Sequence, residues 1–377
     1  MKVCVAIDSF KGSLSTFEAG ESAKAGILRA CEDAEVFVCP MADGGEGTMD
    51  ALAGALGGET VTVSVCGPLG GRVTARYAVA GRTALMEMAQ ASGITLVSRD
   101  RLDPMAATTY GVGETIADAI RRGCRSFVLG IGGSATNDGG MGMLQALGVR
   151  FTDDAGECLP SRGDSLGRVR RIDTSCILPE LEECEFKVAC DVKNPLCGDS
   201  GCSAVFGPQK GLRDGDLLLM DGWLGRYAEL TQKILPLADP EYPGAGAAGG
   251  LGFALMAFLG AELVSGIELV MHFTGLERFV AQSDLVITGE GRLDGQSAMG
   301  KVPWGVGQLA KKHGKPCVAL AGCLGDGYEK CHDCGIDALF PIVSAPCALE
   351  TAMDKSVAAQ NLSRTAEQAL RLITVGR

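Results

Sequence analysis

Residues 284–322 read DLVITGEGRLDGQSAMGKVPWGVGQLAKKHGKPCVALAG, and this stretch decides the fold class. Its first apolar run, DLVITG at 284–289, predicts a buried strand, and PCVALAG at 316–322 predicts a second one. The segment from about Pro303 to His313 between them has the pattern of a helix. Strand, helix and strand in this order predict parallel strands joined by a crossover helix, the repeating unit of an α/β protein.

The same alternation continues at both ends of the chain. Near the start, VCVAI at 3–7 and EVFVC at 35–39 predict two more strands, and the helix between them opens with the capping box Ser15-Thr16-Phe17-Glu18. Further on, ALFPIVS at 338–344 predicts another strand, which a long helix follows. We expect the two ends to form one parallel sheet with helices packed on it.

The middle of the chain begins differently. Three short apolar runs between residues 59 and 89 are separated by turns, which is the pattern of antiparallel hairpins, and strand and helix units return after residue 125. We therefore predict an α/β protein with two domains. Residues 1–58 plus 284–377 are expected to form a discontinuous parallel-sheet domain, with a mixed-sheet α/β domain of residues 59–283 inserted into it. Two connections would then cross one cleft, a common place for a ligand site.

The composition limits the function classes. With 377 residues, of which 46% are hydrophobic, the chain is long and apolar enough for two cores. A net charge of -12 opposes a general affinity for nucleic acid or anionic lipid, so we expect neither a nucleic-acid nor a membrane partner. The start shows no secretion signal, and the apolar stretch at about 245–261 is shorter than the ~20 residues that span a bilayer, so we expect a buried helix there. Together with sixteen cysteines, these features predict a cytoplasmic protein with reduced thiols.

Two glycine-rich segments resemble dinucleotide-binding loops. GAGAAG at 244–249 matches G-x-G-x-x-G, but no strand precedes it, so we expect close packing or a hinge there. GIGGSA at 130–135 does follow a strand, and Asp153 lies where a ribose-binding acid would be expected. A NAD-dependent oxidoreductase acting on a small hydroxy acid is therefore an alternative. However, TNDGGMG at 136–142 delays the helix, and such a polar loop better suits a phosphate nest with a metal-binding or proton-handling side chain.

A third segment, GQSAMGKV at 295–302, nearly matches the phosphate-binding pattern G-x-x-x-x-G-K-[ST]. It ends in Val302, where the hydroxyl that binds Mg²⁺ should stand, and its first glycine lies too far from the preceding strand. The segment fails as a conventional P-loop. Its surroundings nevertheless place charged side chains between the carboxyl end of a strand and the start of a helix, where open parallel sheets bind ligands.

Several predicted strands end in an acid within a glycine- or serine-containing loop, namely at Asp8, Asp43, Asp138 and Asp191. Phosphoryl transfer needs such carboxylates to hold Mg²⁺ or to act as a base, together with cations for the phosphates. The three histidines lie outside these loops and G-x-S-x-G is absent, so nucleophilic hydrolysis is not expected. CHDC at 331–334 is expected to hold ordinary thiols, although a non-catalytic metabolite- or redox-binding protein is a second alternative.

The chain resembles the type I glycerate kinase family through six segments that occur in the same order. They are DSFKGSLS (8–15), PMADGGEGT (40–48), GIGGSATNDGGMGMLQALG (130–148), DVKNPLCG (191–198), GAGAAGGLGFAL (244–255) and DLVITGEGRLDGQSAMGKVP (284–303). The resemblance implies ATP- and Mg²⁺-dependent phosphorylation of D-glycerate at its 2-hydroxyl. It also implies a Rossmann- or flavodoxin-like domain interrupted by a second α/β domain. In such a kinase GQSAMGK would be an anion-binding turn, so Val302 would mark no lost Mg²⁺ ligand.

The resemblance does not settle residue roles, and we assign them on chemistry. Lys11 and Lys301 are predicted to neutralise phosphates, because a flexible ammonium acts as a point charge on phosphate. Arg292 is predicted to bind the glycerate carboxylate in bidentate fashion. Asp191 is predicted to act as the base or to orient the substrate hydroxyl.

Two further sets of residues complete the predicted site. Asp43, Glu46 and Asp294 are candidates for Mg²⁺, directly or through water. Asp138 is a candidate either for Mg²⁺ or for the base. The predicted nucleotide-binding residues are Gly132, Gly133, Ser134, Asp138, Gly295 and Gly300. D-glycerate is the expected small-molecule partner, and a homo-oligomer is left open.

Overall fold

The computed structural model describes residues 1–45, 47–298 and 300–375. Its strands are β1 Lys2–Ile7, β2 Glu35–Val38, β3 Glu59–Cys66, β4 Arg72–Ala80, β5 Thr83–Glu87, β6 Ser126–Gly130, β7 Arg150–Thr152, β8 Arg171–Asp173, β9 Glu185–Ala189, β10 Glu262–Val264, β11 Leu285–Leu293, β12 Cys317–Leu324 and β13 Ala338–Pro341. Its α-helices are α1 Thr16–Ala30, α2 Thr48–Leu56, α3 Ala89–Ser92, α4 Tyr110–Arg121, α5 Met141–Ala146, α6 Cys202–Phe206, α7 Asp214–Ile234, α8 Ala247–Leu259, α9 Gly266–Thr274, α10 Leu276–Gln282, α11 Val302–Lys312, α12 Leu349–Met353 and α13 Lys355–Thr374. Within the described ranges, every helix is too short or too polar to cross a membrane.

The chain divides into two compact units. The first comprises Met1–Asp43, Asp50–Leu56 and the chain from Ser265 onward, and the second comprises Gly44–Met49 and Gly57–Val264. This division differs from the expected insert, which ran to residue 283. Helices α9 and α10 belong to the first unit because both contact α11 and because α10 also contacts β1.

The first unit contains a parallel five-stranded sheet built from both ends of the chain, as predicted. Its strand order is β13-β12-β11-β1-β2, and neighbouring strands run parallel throughout. Counted along the chain within this unit, the order is 2-1-3-4-5, that of doubly wound flavodoxin-like sheets. The switch in strand order therefore lies between β1 and β11, where Val5 pairs with Ile287.

Helices α1 and α13 pack together over one face of this sheet. Their buried residues form one core with the alternate strand residues Val3, Val5 and Ile7. The predicted capping box at Ser15 is confirmed, since its side chain and that of Glu18 bond to each other's backbone N–H groups. The helices approach so closely that a Cβ at Gly26 would collide with the backbone of Ser363. Helix α11 contacts both β1 and β11, and α10 contacts β1.

The second unit contains a mixed sheet, also as predicted. Its strand order is β10-β9-β6-β5-β4-β3. Strands β3, β4 and β5 pair antiparallel, whereas β5, β6, β9 and β10 pair parallel. Large apolar side chains such as Phe127, Phe186, Phe253 and Tyr227 fill the core of this unit.

The glycine-rich segment before α8 is a site of close packing, which confirms that expectation. Ala248, Gly249 and Gly250 at the start of the helix adopt positive φ angles of 53°, 69° and 88°. A Cβ at Gly249 would collide with the carbonyl of Thr136, so glycine lets this segment lie against the loop after β6. The expected buried helix at 245–261 therefore begins with an irregular turn.

Strand β11 is longer than the sequence predicted. The expected strand ended at residue 289, but pairing with β12 continues through Glu290 and Arg292 to Leu293. The glycines at 289 and 291 look like loop residues in the sequence, yet the neighbouring strand supplies the backbone partners that extend the ladder. Glu290 and Arg292 consequently lie on a strand of the sheet and not in a loop.

Candidate functional site

The carboxyl ends of the first unit's strands enclose a cavity of about 340 Å³. The cavity lies at the β1/β11 switch in strand order, where doubly wound sheets bind their ligands. Its charged residues come from β11, the loop after β1 and the start of α11, whereas most of its apolar residues come from α12 and the segment after β13. The lining residues are Asp8, Ser9, Phe10, Lys11, Ser13, Glu290, Gly291, Arg292, Lys301, Gly322, Cys323, Ile342, Val343, Leu349, Ala352, Met353 and Ala358.

Asp8 is the buried acid of this cavity. It directly follows β1 and is 3% exposed, and its Oδ1 accepts the N–H of Ser9 at 2.6 Å. Burial raises the pKa of Asp8 to about 7, and the nearby carboxylates of Asp43 and Glu290 add to the rise, while the Ser9 N–H and Lys11 oppose it. A carboxyl that titrates near neutral pH can accept and release a proton under working conditions. The sequence marked Asp8 as a strand-end acid but predicted no site role for it.

Lys11 and Asp43 form an ion pair at the same edge of the sheet. Lys11 Nζ lies 3.6 Å from Asp43 Oδ2, and the lysine side chain is 60% exposed. Partial burial lowers the pKa of Lys11, but the carboxylates of Asp43, Asp8 and Glu290 outweigh it, and the net shift is upward. Lys11 therefore stays charged beside the cavity and can reach an anion there.

Glu290 projects a carboxylate into the same cavity from β11. It is 7% exposed, and its Oε1 has no hydrogen-bond partner. Burial raises the pKa of Glu290, whereas the side chain of Ser297 and the ammonium of Lys301 lower it. A buried carboxylate oxygen without a partner is costly, so this atom points to a missing cation or hydrogen-bond donor.

Arg292 lies at the exposed end of β11. Its side chain is 64% exposed, and its Nε lies 3.4 Å from Oδ2 of Asp294. The other oxygen of Asp294 accepts the N–H of Gln296 at 2.9 Å. The guanidinium is therefore oriented by one carboxylate but is free to move toward a ligand in the cavity that it lines.

The residues of the GQSAMGKV segment that the structure describes, 295–298 and 300–302, form a turn that leads into α11. The N–H of Gly295 donates to the carbonyl of Asp326 at 3.0 Å, and Gly300 has a φ of +104°, which favours glycine. Lys301 is the N-cap residue of α11 and lines the cavity. Val302 is fully buried in the first turn of this helix. The position of the missing P-loop hydroxyl is therefore a core position in this fold.

The second predicted glycine loop lies in the second unit, after β6. Gly132, Gly133 and Ser134 lie there, and Asp138 is fully buried between α4 and α5. Asp138 accepts hydrogen bonds from the N–H and hydroxyl of Thr109 and from the N–H groups at 140 and 142, at 2.8–3.2 Å. Burial raises its pKa, and these hydrogen bonds lower it. Through these hydrogen bonds, Asp138 holds the loop after β6 against the starts of α4 and α5.

Lys210 holds this loop in place through hydrogen bonds from its ammonium, although its sequence context predicts no such role. Its side chain is buried, and Nζ donates to Ser134 Oγ and to the carbonyl of Thr136, both at 2.7 Å. Burial lowers the pKa of Lys210 to about 8, while the charges of Cys202 and Asp138 oppose the shift. Nothing in the local sequence PQK indicates a buried lysine, because its partners are more than 70 residues away.

The remaining predicted residues lie outside these clusters. Asp191 is an exposed residue just after β9, in the second unit. Glu46 lies outside the described residues. Over the described ranges, no three histidine, cysteine, aspartate or glutamate side chains group as a protein-only metal site would require. Mg²⁺ often binds through one or two carboxylates plus substrate phosphates, and Asp43 with Oε1 of Glu290 fits that donor set.

The doubly wound sheet with a charged cavity at its switch point places the chain among α/β proteins that bind ligands at the carboxyl edge of a sheet. Residues 3–374 match the glycerate kinase family, and the chain belongs to that family.

Similar proteins cover the whole chain. Glycerate 2-kinase of Escherichia coli K12 is 44% identical over 100% of this chain and 99% of its own length. Glycerate kinase of Halalkalibacterium halodurans is 44% identical over 99% of this chain and 97% of its own. A crystal structure of a protein assigned as glycerate kinase 2 from Salmonella typhimurium LT2 is 44% identical, with a TM-score of 0.91 over 100% of this chain and 99% of that one. The protein is therefore an enzyme, a kinase that phosphorylates glycerate.

The oxidoreductase alternative is not favoured. The family match spans the chain, and α5 begins only at Met141, well after the GIGGSA loop. Asp153, the expected ribose-binding acid, pairs instead with Arg168 at 2.8 Å on the surface of the second unit. The CHDC thiols, Cys331 and Cys334, are buried and free, as expected of ordinary cysteines.

Proposed function

We propose that this enzyme transfers the γ-phosphoryl group of ATP, with Mg²⁺, to the 2-hydroxyl of D-glycerate and so forms 2-phosphoglycerate. The observation that carries this proposal is the set of cations and carboxylates around one cavity at the carboxyl edge of the parallel sheet. The name of the E. coli relative, glycerate 2-kinase, supports the regiochemistry. In this reaction the hydroxyl oxygen bonds to the γ-phosphorus, the bond from that phosphorus to the β,γ-bridging oxygen breaks, and ADP leaves.

Three cations of the cavity are proposed to hold the anionic groups. Lys11 and Lys301 neutralise the phosphates, because both line the cavity and Lys11 keeps its charge. Arg292 binds the glycerate carboxylate, since its planar fork matches two carboxylate oxygens and its side chain is exposed enough to turn toward them.

The carboxylates nearest these cations are proposed to hold Mg²⁺. Asp43 and Glu290 would bind it, and Mg²⁺ would supply charge neutralisation for the transferred phosphoryl group. Asp294 remains a candidate through water, although both of its oxygens already have partners. Glu46 remains a candidate from the sequence.

Two acids compete for the role of base. Asp191 was the candidate from the sequence. Asp8 is the candidate from the structure, because it is buried in the cavity and its pKa of about 7 suits the uptake of the hydroxyl proton. Separate substitution of each acid by asparagine decides between them, since the base variant should lose most of kcat at an unchanged KM for ATP.

The glycine loops are proposed as backbone anion sites. Gly295 and Gly300 shape the turn next to Lys301 and would hold a phosphate of ATP. Gly132, Gly133 and Ser134 would hold a second anionic group, with Asp138 and Lys210 keeping their loop in shape. The two-domain insertion, transfer in a cleft between the domains, a cytoplasmic location and a homo-oligomer stay predictions from the sequence.

The test is ³¹P NMR of the purified protein with Mg·ATP and D-glycerate. A new 2-phosphoglycerate signal is expected, and a 3-phosphoglycerate signal would overturn the regiochemistry. Lys301→Met should lower kcat/KM by 10²-fold or more if the lysine holds phosphate. Lys312→Met is the matched control, because Lys312 lies on the same helix and pairs on the surface with Glu277 at 2.7 Å. Equal activity of the two variants would remove Lys301 from the site.

A further inference from the structure

The cavity at the carboxyl edge of the sheet is larger than glycerate needs. Its volume of about 340 Å³ lies in the range of pockets that hold drug-sized ligands, whereas glycerate is a three-carbon acid. Lys11, Lys301 and Arg292 account for the binding of phosphates and a carboxylate, but they give no role to the apolar residues that line the cavity. That lining is formed by Phe10, Ile342, Val343, Leu349, Ala352 and Met353.

Helix α12 exposes apolar side chains toward this cavity. Leu349 is 69% exposed and Met353 is 38% exposed, although both line the cavity. Met353 also packs against the loop after β1, where a Cβ at Gly12 would come within 2.8 Å of its Cε. Apolar side chains that share a concave surface yet remain exposed indicate a surface that a ligand covers.

The loop after β1 joins the apolar and the charged groups rigidly. The N–H of Phe10 donates to the carbonyl of Leu14 at 2.8 Å, and the N–H of Leu14 donates to the carbonyl of Phe10 at 3.0 Å. This closed loop fixes Phe10, Lys11 and Ser13 relative to one another. The hydroxyl oxygen of Ser13 is buried without a hydrogen-bond partner although the residue lines the cavity. An unsatisfied hydroxyl on the loop that also carries Phe10 and Lys11 is suited to a ligand that is itself part apolar and part anionic.

We propose that the apolar part of this cavity, walled by α12, holds the purine base of the nucleotide, with the phosphates directed toward Lys11 and Lys301. This assignment rests on the proposed function for the identity of the nucleotide as phosphate donor. The flat apolar face of a purine covers Leu349 and Met353, Ser13 meets a polar group of the ribose or the first phosphate, and the anionic end lies at the cations. The named apolar side chains offer no hydrogen-bond code for the base, so they select a purine by shape and area.

The native thiol Cys323 provides a direct probe. It is exposed and lines the cavity, whereas Cys158 and Cys176 are exposed in the second unit and serve as internal controls. Iodoacetamide labelling of the wild-type protein, followed by mass spectrometry of each cysteine peptide, measures the three rates at once. Adenosine or AMP, added without D-glycerate, should slow labelling of Cys323 at least 5-fold and leave the controls unchanged. Unchanged labelling of Cys323 in the presence of both adenosine and AMP would overturn the proposal.

Substitutions in α12 give a second, kinetic readout. Leu349→Asp should raise the KM for ATP at least 10-fold and leave the KM for glycerate within 2-fold. Leu372→Asp is the matched control, because Leu372 is 66% exposed on α13 and does not line the cavity. A raised KM for glycerate with an unchanged KM for ATP would place glycerate in the apolar part and refute the assignment while the kinase function stands. Absence of any glycerate phosphorylation by the wild type would instead refute the proposed function, and the adenosine protection would still decide whether the cavity holds a purine.

Discussion

Replacing Asp8 with asparagine should stabilise the protein at neutral and alkaline pH. Asparagine has nearly the shape of aspartate but no charge. In the folded protein burial raises the pKa of Asp8 from 3.8 to about 7, which is a difference of about 3 pKa units. Each unit corresponds to 1.36 kcal/mol, so burying the charged form costs up to about 4 kcal/mol. This is an upper limit, because the carboxylates of Asp43 and Glu290 share in the shift.

The sign of the pH dependence follows from proton binding. Between pH 3.8 and about 7 the folded state holds a proton on Asp8 that the unfolded state has lost. The wild type therefore loses stability as pH rises through this window, and the loss is complete above about pH 7. The Asp8→Asn variant lacks this loss. The free energies of unfolding of the two proteins should differ by no more than about 1 kcal/mol at pH 4.5 and by up to about 4 kcal/mol at pH 8.

Urea unfolding at both pH values, in EDTA and without nucleotide, measures this difference. Asp33→Asn is the control, because Asp33 is an exposed acid of the same unit, and its effect should stay within about 0.5 kcal/mol at either pH. In thermal unfolding, a gain of about 4 kcal/mol corresponds to roughly 8–16 °C for a unit of this size. If Asp8→Asn gained no stability between pH 4.5 and pH 8 relative to the wild type, the carboxyl would not be the buried, neutral-range acid described here.

Three further predictions concern stability. Gly26→Ala should destabilise the protein by about 1–3 kcal/mol in urea unfolding, because the methyl group would collide with α13. Gly225→Ala in α7, with open space around its Cβ, should instead stabilise it by about 0.5–1 kcal/mol. Equal effects of the two substitutions would contradict the close approach of α1 to α13. The free energy of unfolding of the wild type, relative to that of Lys210→Met, should rise by up to about 3 kcal/mol from pH 8 to pH 10.5, because the buried lysine loses its proton at lower pH in the folded state than in the unfolded state. A difference that does not change with pH would contradict the lowered pKa of Lys210. Ser15→Ala should cost about 1 kcal/mol in the same assay through loss of the helix cap, and a neutral result would show that Glu18 suffices without it.

The alternation of apolar runs was enough to predict the parallel sheet and its assembly from both ends of the chain. Such runs depend on local composition, which the sequence displays directly. The end of β11 could not be predicted in the same way, because Glu290 and Arg292 are polar and stand beside glycines. Their strand conformation comes from pairing with β12, which is a tertiary contact.

The candidate site was predictable where it depends on strand ends. Lys11, Arg292 and Lys301 were predicted from the sequence, and the structure brings all three to one cavity. Burial was not predictable: the same type of strand-end acid is in the cavity at Asp8, enclosed by hydrogen bonds at Asp138 and exposed at Asp191. The buried position of Lys210 was not predicted, because a lysine in a short turn is usually exposed and only the tertiary fold encloses this one.

The position of β1 between β2 and β11 in its sheet has a consequence for synthesis of the chain. Lys2 at the start of β1 bonds to Asp284, which lies 282 residues later, just before β11. At about 5–20 residues per second, a ribosome needs roughly 15–60 s to supply that partner. Most of the second unit, from Gly57 to Val264, is complete before β11 exists. The nascent chain must therefore hold an apolar strand and α1 in an unfinished state, and chaperone binding to the first 40 residues is the expected means of protecting them from aggregation.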